Sequence, residues 1–388
     1  MRIRFLSVFV VFILLLTAVE SFAIPAFARR YKLSCTTCHD PFPKLKEYGD
    51  EFAGAGFILK EEEKERDYIT AGDDLLWLNR TFHVGARLDA YAMVHTDQDV
   101  DKDLQTPWGL KLLSGGAVTK NIGYYFYFYM SERGEVAGIE DAYIHFDNVF
   151  GSNLDIMVGQ FQTSDPLMKR ELRLTFEDYE IYKVRPGDSG TNLAYDRGVM
   201  LVYGIDQTGT DLVGFIVNGN GKAQADEDTK KFDADKYKNF GFRLSQGIGD
   251  FMSIGGYYYT GKEGGAGGTP TNEIAFWGPD LNIGLGPVEV TAQYLERKDS
   301  DPLFAGGTEA KTTGVVTEVV IAPRLDRSRF YLTGLYNWID SDLDALDYQT
   351  ITLGGTYLVA RNLRLTAEYT RDLIHDVNRF VFGTVTGF

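Results

Sequence analysis

The sequence is poor in cysteine, in long apolar segments and in positive charge. Its 388 residues include 2 cysteines, too few for a zinc site closed by four cysteines. Beyond residue 23 no apolar run is long enough for a transmembrane helix. Lysine and arginine total 39 against 55 aspartates and glutamates, a formal net charge of -16, which argues against a nucleic-acid partner.

Residues 1–23 have the features of a cleaved secretory signal peptide. Arg2 and Arg4 precede an apolar stretch, and the small-residue sequence Ser21-Phe22-Ala23 follows it. The apolar stretch is too short to remain as a membrane helix. We therefore expect an exported protein, with an alternative cleavage site after Ala28.

The two cysteines lie in the sequence Cys35-Thr36-Thr37-Cys38-His39, a C-x-x-C-H motif. Two thiols at this spacing can each bond a haem vinyl group, and the adjoining imidazole can ligate the iron. The alternatives are a redox-active dithiol and half of a zinc site, but the first requires a strand-to-helix context and the second requires further ligands nearby. The motif predicts one covalent c-type haem, attached by Cys35 and Cys38, with His39 as proximal ligand.

The rest of the chain alternates apolar and polar residues. Aromatic residues make up 14% of the chain, with 23 tyrosines and 42 glycines. In residues 81–95 the even positions are apolar, whereas the odd positions include His83, Arg87, Asp89 and His95. The same split recurs in residues 140–147, 239–245, 288–294 and 364–370. This period of two predicts strands with one apolar and one polar face, as in a membrane barrel or a soluble sandwich.

The lengths of the connections favour the barrel. About sixteen candidate strands follow residue 80, and the last one ends on the terminal Phe388. Short turns are expected at residues 119–123, 148–154, 247–250, 284–287 and 359–362, and long loops at 95–107, 162–193, 219–237, 261–271 and 298–311. An even strand number with this alternation is typical of outer-membrane porins, whose short turns face the periplasm. We therefore predict an all-β fold, a transmembrane antiparallel β-barrel over residues 79–388, in the bacterial outer membrane.

Residues 24–78 form the predicted haem segment, which is too short to bury a generous core of its own. Residues 43–55 are predicted to be helical, with Gly56 as the cap, and residues 61–67 are a charged tether. We expect this small α-helical monohaem cytochrome c segment to plug the barrel lumen from the periplasmic side. The loop at residues 162–193 either folds inward above the haem or is a solvated outer loop.

No distal haem ligand is evident near the motif, because residues 40–80 contain neither histidine nor methionine. The ligand is therefore water, absent, or supplied by the barrel. By alternation the lumen-facing candidates are His83, Met93, His95 and His145, with Met168 added if its loop folds inward. His83 is the first choice because it lies nearest the periplasmic end of its strand.

The chain resembles a known protein family. Ile24 to Arg29, the Cys35 to His39 motif, Phe42-Pro43 and Tyr48-Gly49, followed by a porin-like barrel, are similar to the fused monohaem cytochrome-porins. The best-known members of that family look to be outer-membrane iron(II) oxidases. The resemblance implies a haem bonded to Cys35 and Cys38, with His39 on the iron. It also implies extracellular Fe(II) as electron donor and a periplasmic c-type cytochrome or similar carrier as acceptor.

Three functions follow from these expectations. The first is an electron conduit, and possible iron(II) oxidase, in which the haem carries electrons from an external donor to periplasmic carriers. The second runs the electrons outward to an external acceptor. The third is a solute porin whose haem segment is a gate or structural plug.

Acidic clusters in the outer loops, at Asp97 to Asp103 and Asp340 to Asp347, would concentrate cations there or simply keep the loops soluble. No nucleophile-base arrangement stands out, so no catalytic residue is assigned.

Overall fold

A computed structural model of the chain describes residues 26–59, 68–79, 82–96, 102–164, 168–233, 235–265 and 270–388. The predicted signal peptide and the tether at residues 61–67 lie outside these residues. Within them, no helix has both the length and the apolar character to cross a membrane.

The N-terminal part is built from short elements. Three helices, α1 (Ala26–Tyr31), α2 (Cys35–Cys38) and α3 (Glu47–Gly54), precede a two-stranded antiparallel sheet of β1 (Tyr68–Ile69) and β2 (Leu78–Asn79). Helix α3 starts later than the predicted residue 43. The residues before it form a loop instead. The Lys44 carbonyl accepts a hydrogen bond from the Asp40 amide, and Leu45 and His39 form an isolated β-bridge. Gly56 ends the helix as predicted, with a left-handed φ of 67°.

Sixteen antiparallel strands form a closed barrel, as the sequence predicts. The ring runs in chain order, and the last strand pairs with the first. The strands are β3 (Val84–His95), β4 (Lys102–Thr119), β5 (Ile122–Glu132), β6 (Gly138–Phe146), β7 (Leu154–Gln162), β8 (Tyr195–Ile205), β9 (Thr210–Val217), β10 (Asn239–Ile248), β11 (Met252–Gly264), β12 (Thr271–Leu285), β13 (Val288–Asp299), β14 (Ala310–Ile321), β15 (Phe330–Ser341), β16 (Tyr348–Ala360), β17 (Leu363–Asp372) and β18 (Asn378–Gly387).

The predicted alternation of faces is confirmed along the wall. In β10, Phe240 and Phe242 point outward and are 52% and 47% exposed, whereas Asn239 and Ser245 face the lumen and are buried. The odd-numbered polar residues of β3 face inward in the same way. The barrel therefore has an apolar outer surface and a polar interior.

The predicted turns connect strands at the end of the barrel where β3 begins. One predicted long loop, residues 95–107, is wrong, because β4 already begins at Lys102. The pairing with β3 slips between Asp89 and Tyr91, opposite Pro107. Proline cannot donate to the ladder, and a bulge lets the strand continue past it.

Residues 26–59, which we call the plug, lie inside the barrel at the short-turn end. Their contacts reach opposite parts of the wall. The contacts include Arg29 Nη2 to the Val84 carbonyl at 2.7 Å, Phe57 stacked on Tyr125 at 4.6 Å between centroids, Lys44 Nζ to Glu318 Oε1 at 3.2 Å, and Tyr331 Oη to Asp40 Oδ1 at 2.9 Å.

The wall is smooth where the plug touches it. A Cβ atom added to Gly123 would lie 2.2 Å from the carbonyl oxygen of Gly56, and one added to Gly115 would lie 2.9 Å from the Phe27 ring. Both distances are below any tolerable contact. The plug therefore sits against bare backbone at these points.

The long connection between β7 and β8 folds into the lumen. Its residues 168–194, the inward loop, contact strands on many sides of the ring. Glu171 pairs with Lys111 of β4, Tyr179 Oη donates to Glu318 of β14 at 2.7 Å, and the Phe176 and Glu177 amides donate to Glu368 of β17. Of the two interpretations left open by the sequence, the structure supports the inward fold.

Candidate cofactor site

Helix α2 presents the two cysteines on one turn. Ser34 caps the turn by accepting the Thr36 amide at 3.4 Å, and the His39 amide donates to the Cys35 carbonyl at 2.9 Å. Residues three apart on a helical turn lie on the same side. The two cysteines form no disulfide, and both line the same cavity. Burial raises the pKa of each thiol.

His39 is held by its own loop in an orientation suited to ligation. Its Nδ1 lies 2.9 Å from the Pro43 carbonyl oxygen and 3.3 Å from that of Lys44. A carbonyl only accepts, so Nδ1 carries the proton and Nε2 keeps its lone pair. Burial lowers the pKa of His39 to about 4, which keeps the imidazole neutral near pH 7. Metal-ligating histidines commonly have this arrangement, with one nitrogen anchored and the other free.

A cavity opens beside these three residues, between the plug and the wall. It contains about 1280 Å³ of empty space, part of it open to solvent. The plug side is mainly apolar, with Phe27, Leu45, Phe52 and Phe57 among its lining residues. Ligand pockets are typically lined by apolar and aromatic side chains with a few polar groups.

The wall and the inward loop give the cavity a polar far side. Lys111, Tyr127, Asp141 and Gln162 line it from the strands, and Glu171 lines it from the loop.

Glu171 is the centre of a hydrogen-bond network there. It pairs with Lys111 and accepts from Tyr129 Oη at 2.8 Å and Tyr195 Oη at 3.2 Å. Burial would raise the pKa of Glu171, but the charges of Lys111 and Arg173 outweigh burial and hold the pKa well below its ordinary value. The network is ionic and lies on the polar side of the cavity.

None of the predicted distal ligands lines this cavity. His83 precedes β3, and its carbonyl accepts from Ser114 Oγ at 2.7 Å. Met93 packs in a separate cluster with Tyr91, and Met168 lines a different cavity. All five histidines lie in the described part of the chain, and His39 alone among them lines the cavity. The structure therefore gives no support to a histidine or methionine as distal ligand.

The residues that are present fit a covalent c-type haem. The cavity brings together two thiols on one turn, one neutral imidazole with a free nitrogen, and an apolar wall for a flat macrocycle. Lys111, Glu171 and Tyr127 are functional candidates that the sequence did not single out. The sequence did contain a signal for Lys111, because it is the one charged residue in the apolar stretch 108–113 of β4.

A second cavity lies on the other side of the plug. It is lined by Lys44, Arg243, Asp280 and Glu318 and reaches the short turns at Gly209 and Gly247. Its charged lining and its position at the open end indicate a water-filled space. The two sides of the plug therefore face different environments.

Solved structures show what the barrel resembles. The anion-selective porin from Comamonas acidovorans superimposes with a TM-score of 0.58 at 11% identity, over 79% of this chain and 99% of the porin. OmpF of Salmonella typhi, in complex with daunomycin, gives a TM-score of 0.58 at 11% identity, over 79% and 97% of the two chains. The Vibrio cholerae outer-membrane protein OmpT gives 0.56 at 11% identity, over 79% and 99%.

The barrel has a porin-like fold. At these identities the likeness describes the fold and nothing further. No protein-family model matches the chain, and no curated protein matches it.

Proposed function

We propose that this protein is an outer-membrane electron-transfer protein. One c-type haem is bonded to Cys35 and Cys38, with His39 as proximal ligand, inside the barrel. It carries electrons from an extracellular donor, Fe(II), to a periplasmic c-type cytochrome or similar carrier. Each Fe(II) loses one electron to become Fe(III), and the periplasmic carrier gains that electron.

The observation that carries this proposal is the shared cavity of Cys35, Cys38 and His39. The anchored Nδ1 of His39 fixes which nitrogen faces a metal, and burial keeps that nitrogen unprotonated. A haem supplies one-electron Fe(III)/Fe(II) chemistry when bound. The apolar plug residues Phe27, Phe52 and Phe57 exclude water on one side of it.

Placement in the outer membrane is supported by the porin-like fold and the exposed apolar side chains. Phe240, Phe242 and Leu244 of β10 are all about half exposed on the outside, an arrangement that suits contact with lipid. The N-terminal segment and the short turns share one end of the barrel, which is the periplasmic end in porins. The plug would then meet a periplasmic carrier, and the acidic loops at Asp340 and Asp342 would face the outside.

The filled lumen favours a conduit over an open pore. The plug occupies the short-turn end, and the inward loop crosses the lumen above it. Tyr182 of the loop bonds Gln293 on β13, and Arg297 donates to the carbonyls of Val184 and Thr191. Both segments reduce the space in the lumen through which a solute could pass.

A spectral titration tests the proposal. The purified full-length protein should carry covalent haem by mass and by its absorption spectrum, and Fe(II) should convert that spectrum from oxidised to reduced. A Cys35→Ala, Cys38→Ala variant is the control without haem. Haem that Fe(II) does not reduce would remove Fe(II) as donor, and a chain at its bare peptide mass would remove the haem.

The second candidate is a solute porin with a gate or structural plug, and the similarity to porins favours it. Conductance in planar bilayers separates the two functions. Large, steady ion currents through the haem-loaded protein would support the porin. Electrically tight vesicles in which external Fe(II) reduces an enclosed acceptor would support the conduit, and an enclosed reductant that reduces an external acceptor would support outward transfer.

A further inference from the structure

His145 is buried in an unusual state on the inner face of β6. Its side chain is 3% exposed, and neither ring nitrogen has a hydrogen-bond partner in the described part of the chain. A buried polar group left without a partner destabilises the folded state. Such a group in a folded protein calls for a ligand that completes it.

Two carboxylates stand beside this imidazole. His145 Nε2 lies 3.9 Å from Asp155 Oδ2, and one donor atom each from His145, Asp147 and Asp155 fall within 4.8 Å of one another. The hairpin geometry explains the grouping. His145 and Asp147 are two residues apart and so face the same side. Asp155 is the second residue of the partner strand β7, where Ile156 pairs with Phe146.

The carboxylates are fixed by neighbouring donors. Asn148 Nδ2 lies 3.0 Å from both oxygens of Asp147, and the Asn148 backbone amide donates to Asp155 Oδ1 at 2.8 Å. Gly56 of the plug covers the imidazole, since a Cβ at Gly56 would lie 3.1 Å from His145 Cδ2. The group is therefore preorganised under the plug, while Asp155, 19% exposed, leaves a path to the short-turn end.

We propose that His145, Asp147 and Asp155 bind a first-row divalent cation such as Mn²⁺, Fe²⁺ or Zn²⁺. One imidazole with two carboxylates suits these borderline ions better than Mg²⁺ or Ca²⁺, which prefer oxygen alone. Two donor atoms that each lie about 2.1 Å from one ion are at most about 4.2 Å from each other. Side-chain shifts of under about 1 Å would therefore bring the three donors within coordination distance of one ion. Water completes the coordination. This site is separate from the haem cavity and does not depend on the proposed electron transfer.

Manganese binding tests the site directly. Full-length protein is treated with a chelator, and Mn²⁺ alone is added back while free Mn²⁺ is followed by electron paramagnetic resonance. One ion per chain is expected. Asp155→Asn should weaken binding by about tenfold or more, because its remaining oxygen can still accept from Asn148 but its charge is gone. His145→Ala should weaken binding at least as much.

His375→Ala is the matched control. His375 also pairs with an aspartate, its Nδ1 lying 2.9 Å from Asp372 Oδ2, but it is exposed at the other end of the barrel. Its binding curve should equal that of the unaltered protein. The Cys35→Ala, Cys38→Ala variant should also keep the ion, which separates this site from the haem. Absence of a bound ion in the unaltered protein, or equal binding by Asp155→Asn, would overturn the proposal, provided that each variant keeps the heat-modifiable gel mobility of a folded barrel.

Discussion

The plug and the inward loop both fill the lumen, but they do so with different chemistry. The plug packs with aromatic rings. Phe57 stacks on Phe27 at 5.0 Å and on Tyr125 at 4.6 Å, and Phe52 meets Phe57 edge-on. The loop is held by charge, with Arg170 Nη2 lying 2.5 Å from Asp178 Oδ2 within it and other ion pairs to the wall.

This difference suits two tasks. Apolar side chains, among them Phe27, Phe52 and Phe57, line the cavity beside Cys35, Cys38 and His39. Buried ion pairs contribute little net stability but penalise any misplaced partner, so they fix the position of the loop.

The largest effect is expected from removing the attachment residues of the plug. Cys35→Ala, Cys38→Ala should lose covalent haem completely, while the barrel still folds, because neither thiol contributes to strand pairing. Mass spectrometry and heat-modifiable migration on a gel measure the two properties. A variant that keeps haem through denaturation would contradict the assigned attachment.

Truncation of the aromatic stack should come next. Phe57→Ala removes a buried ring in contact with three others and should destabilise the plug by about 3–5 kcal/mol. Limited proteolysis should then cut within residues 26–59 faster than in the unaltered protein. Phe150→Ala is the matched control, because Phe150 is 98% exposed and should change nothing.

Breaking the charge contact of the loop tests the other half of the comparison. Lys111→Met leaves Glu171 buried without its nearest cation, at a cost of about 3 kcal/mol. The hydroxyls of Tyr129 and Tyr195 remain as donors to Glu171, which limits the loss. Single-channel conductance should rise as the loop loosens.

Lys262→Met is the matched control for this contact. Its pair with Glu273 is exposed and worth at most about 1 kcal/mol. Equal conductance in the two variants would show that the loop does not close the lumen.

We expect acidic pH to loosen the inward loop and changes near neutral pH to leave it unaffected. The pKa of Glu171 is lowered from its ordinary value of 4.5, so its contribution to stability is complete above that value and is lost as the pH falls through the lower, folded-state pKa. Trp108 packs on Phe176 of the loop at 4.7 Å and can report the change by fluorescence. Emission should stay constant from pH 7 to 5. A transition centred near pH 6 would assign control to another group.

The last and smallest effect concerns one polar contact of the plug. Tyr331→Phe removes the hydrogen bond to Asp40 Oδ1 and should cost about 1 kcal/mol. The midpoint of thermal release of the plug, followed by proteolysis, should fall slightly. A decrease in this midpoint as large as that caused by Phe57→Ala would mean that polar contacts, and not aromatic rings, hold the plug in place.

The barrel could be predicted from the sequence because each strand repeats one rule. Alternation in residues 81–95 and 239–245 assigned the faces, and the turns set the strand number. Helix α3 started late because backbone pairing of His39 with Leu45 is a tertiary contact that periodicity does not contain.

The site was predictable only in part. Cys35, Cys38 and His39 follow from a local motif, and the structure gathers them at one cavity. His145 was correctly placed on the inner face, but its height along the barrel relative to the plug was unknown. Glu171 was hidden in a long loop, and its partner Lys111 lies 60 positions earlier in the sequence.

The glycine contacts between wall and plug have a consequence for redesign. Gly123 and Gly56 meet with no side chain between them, so this contact limits how deeply the segment can rest in the barrel. A synthetic peptide could be docked in the same position if it kept a glycine at this point. Any larger residue at Gly123 would lift the insert out of its resting place.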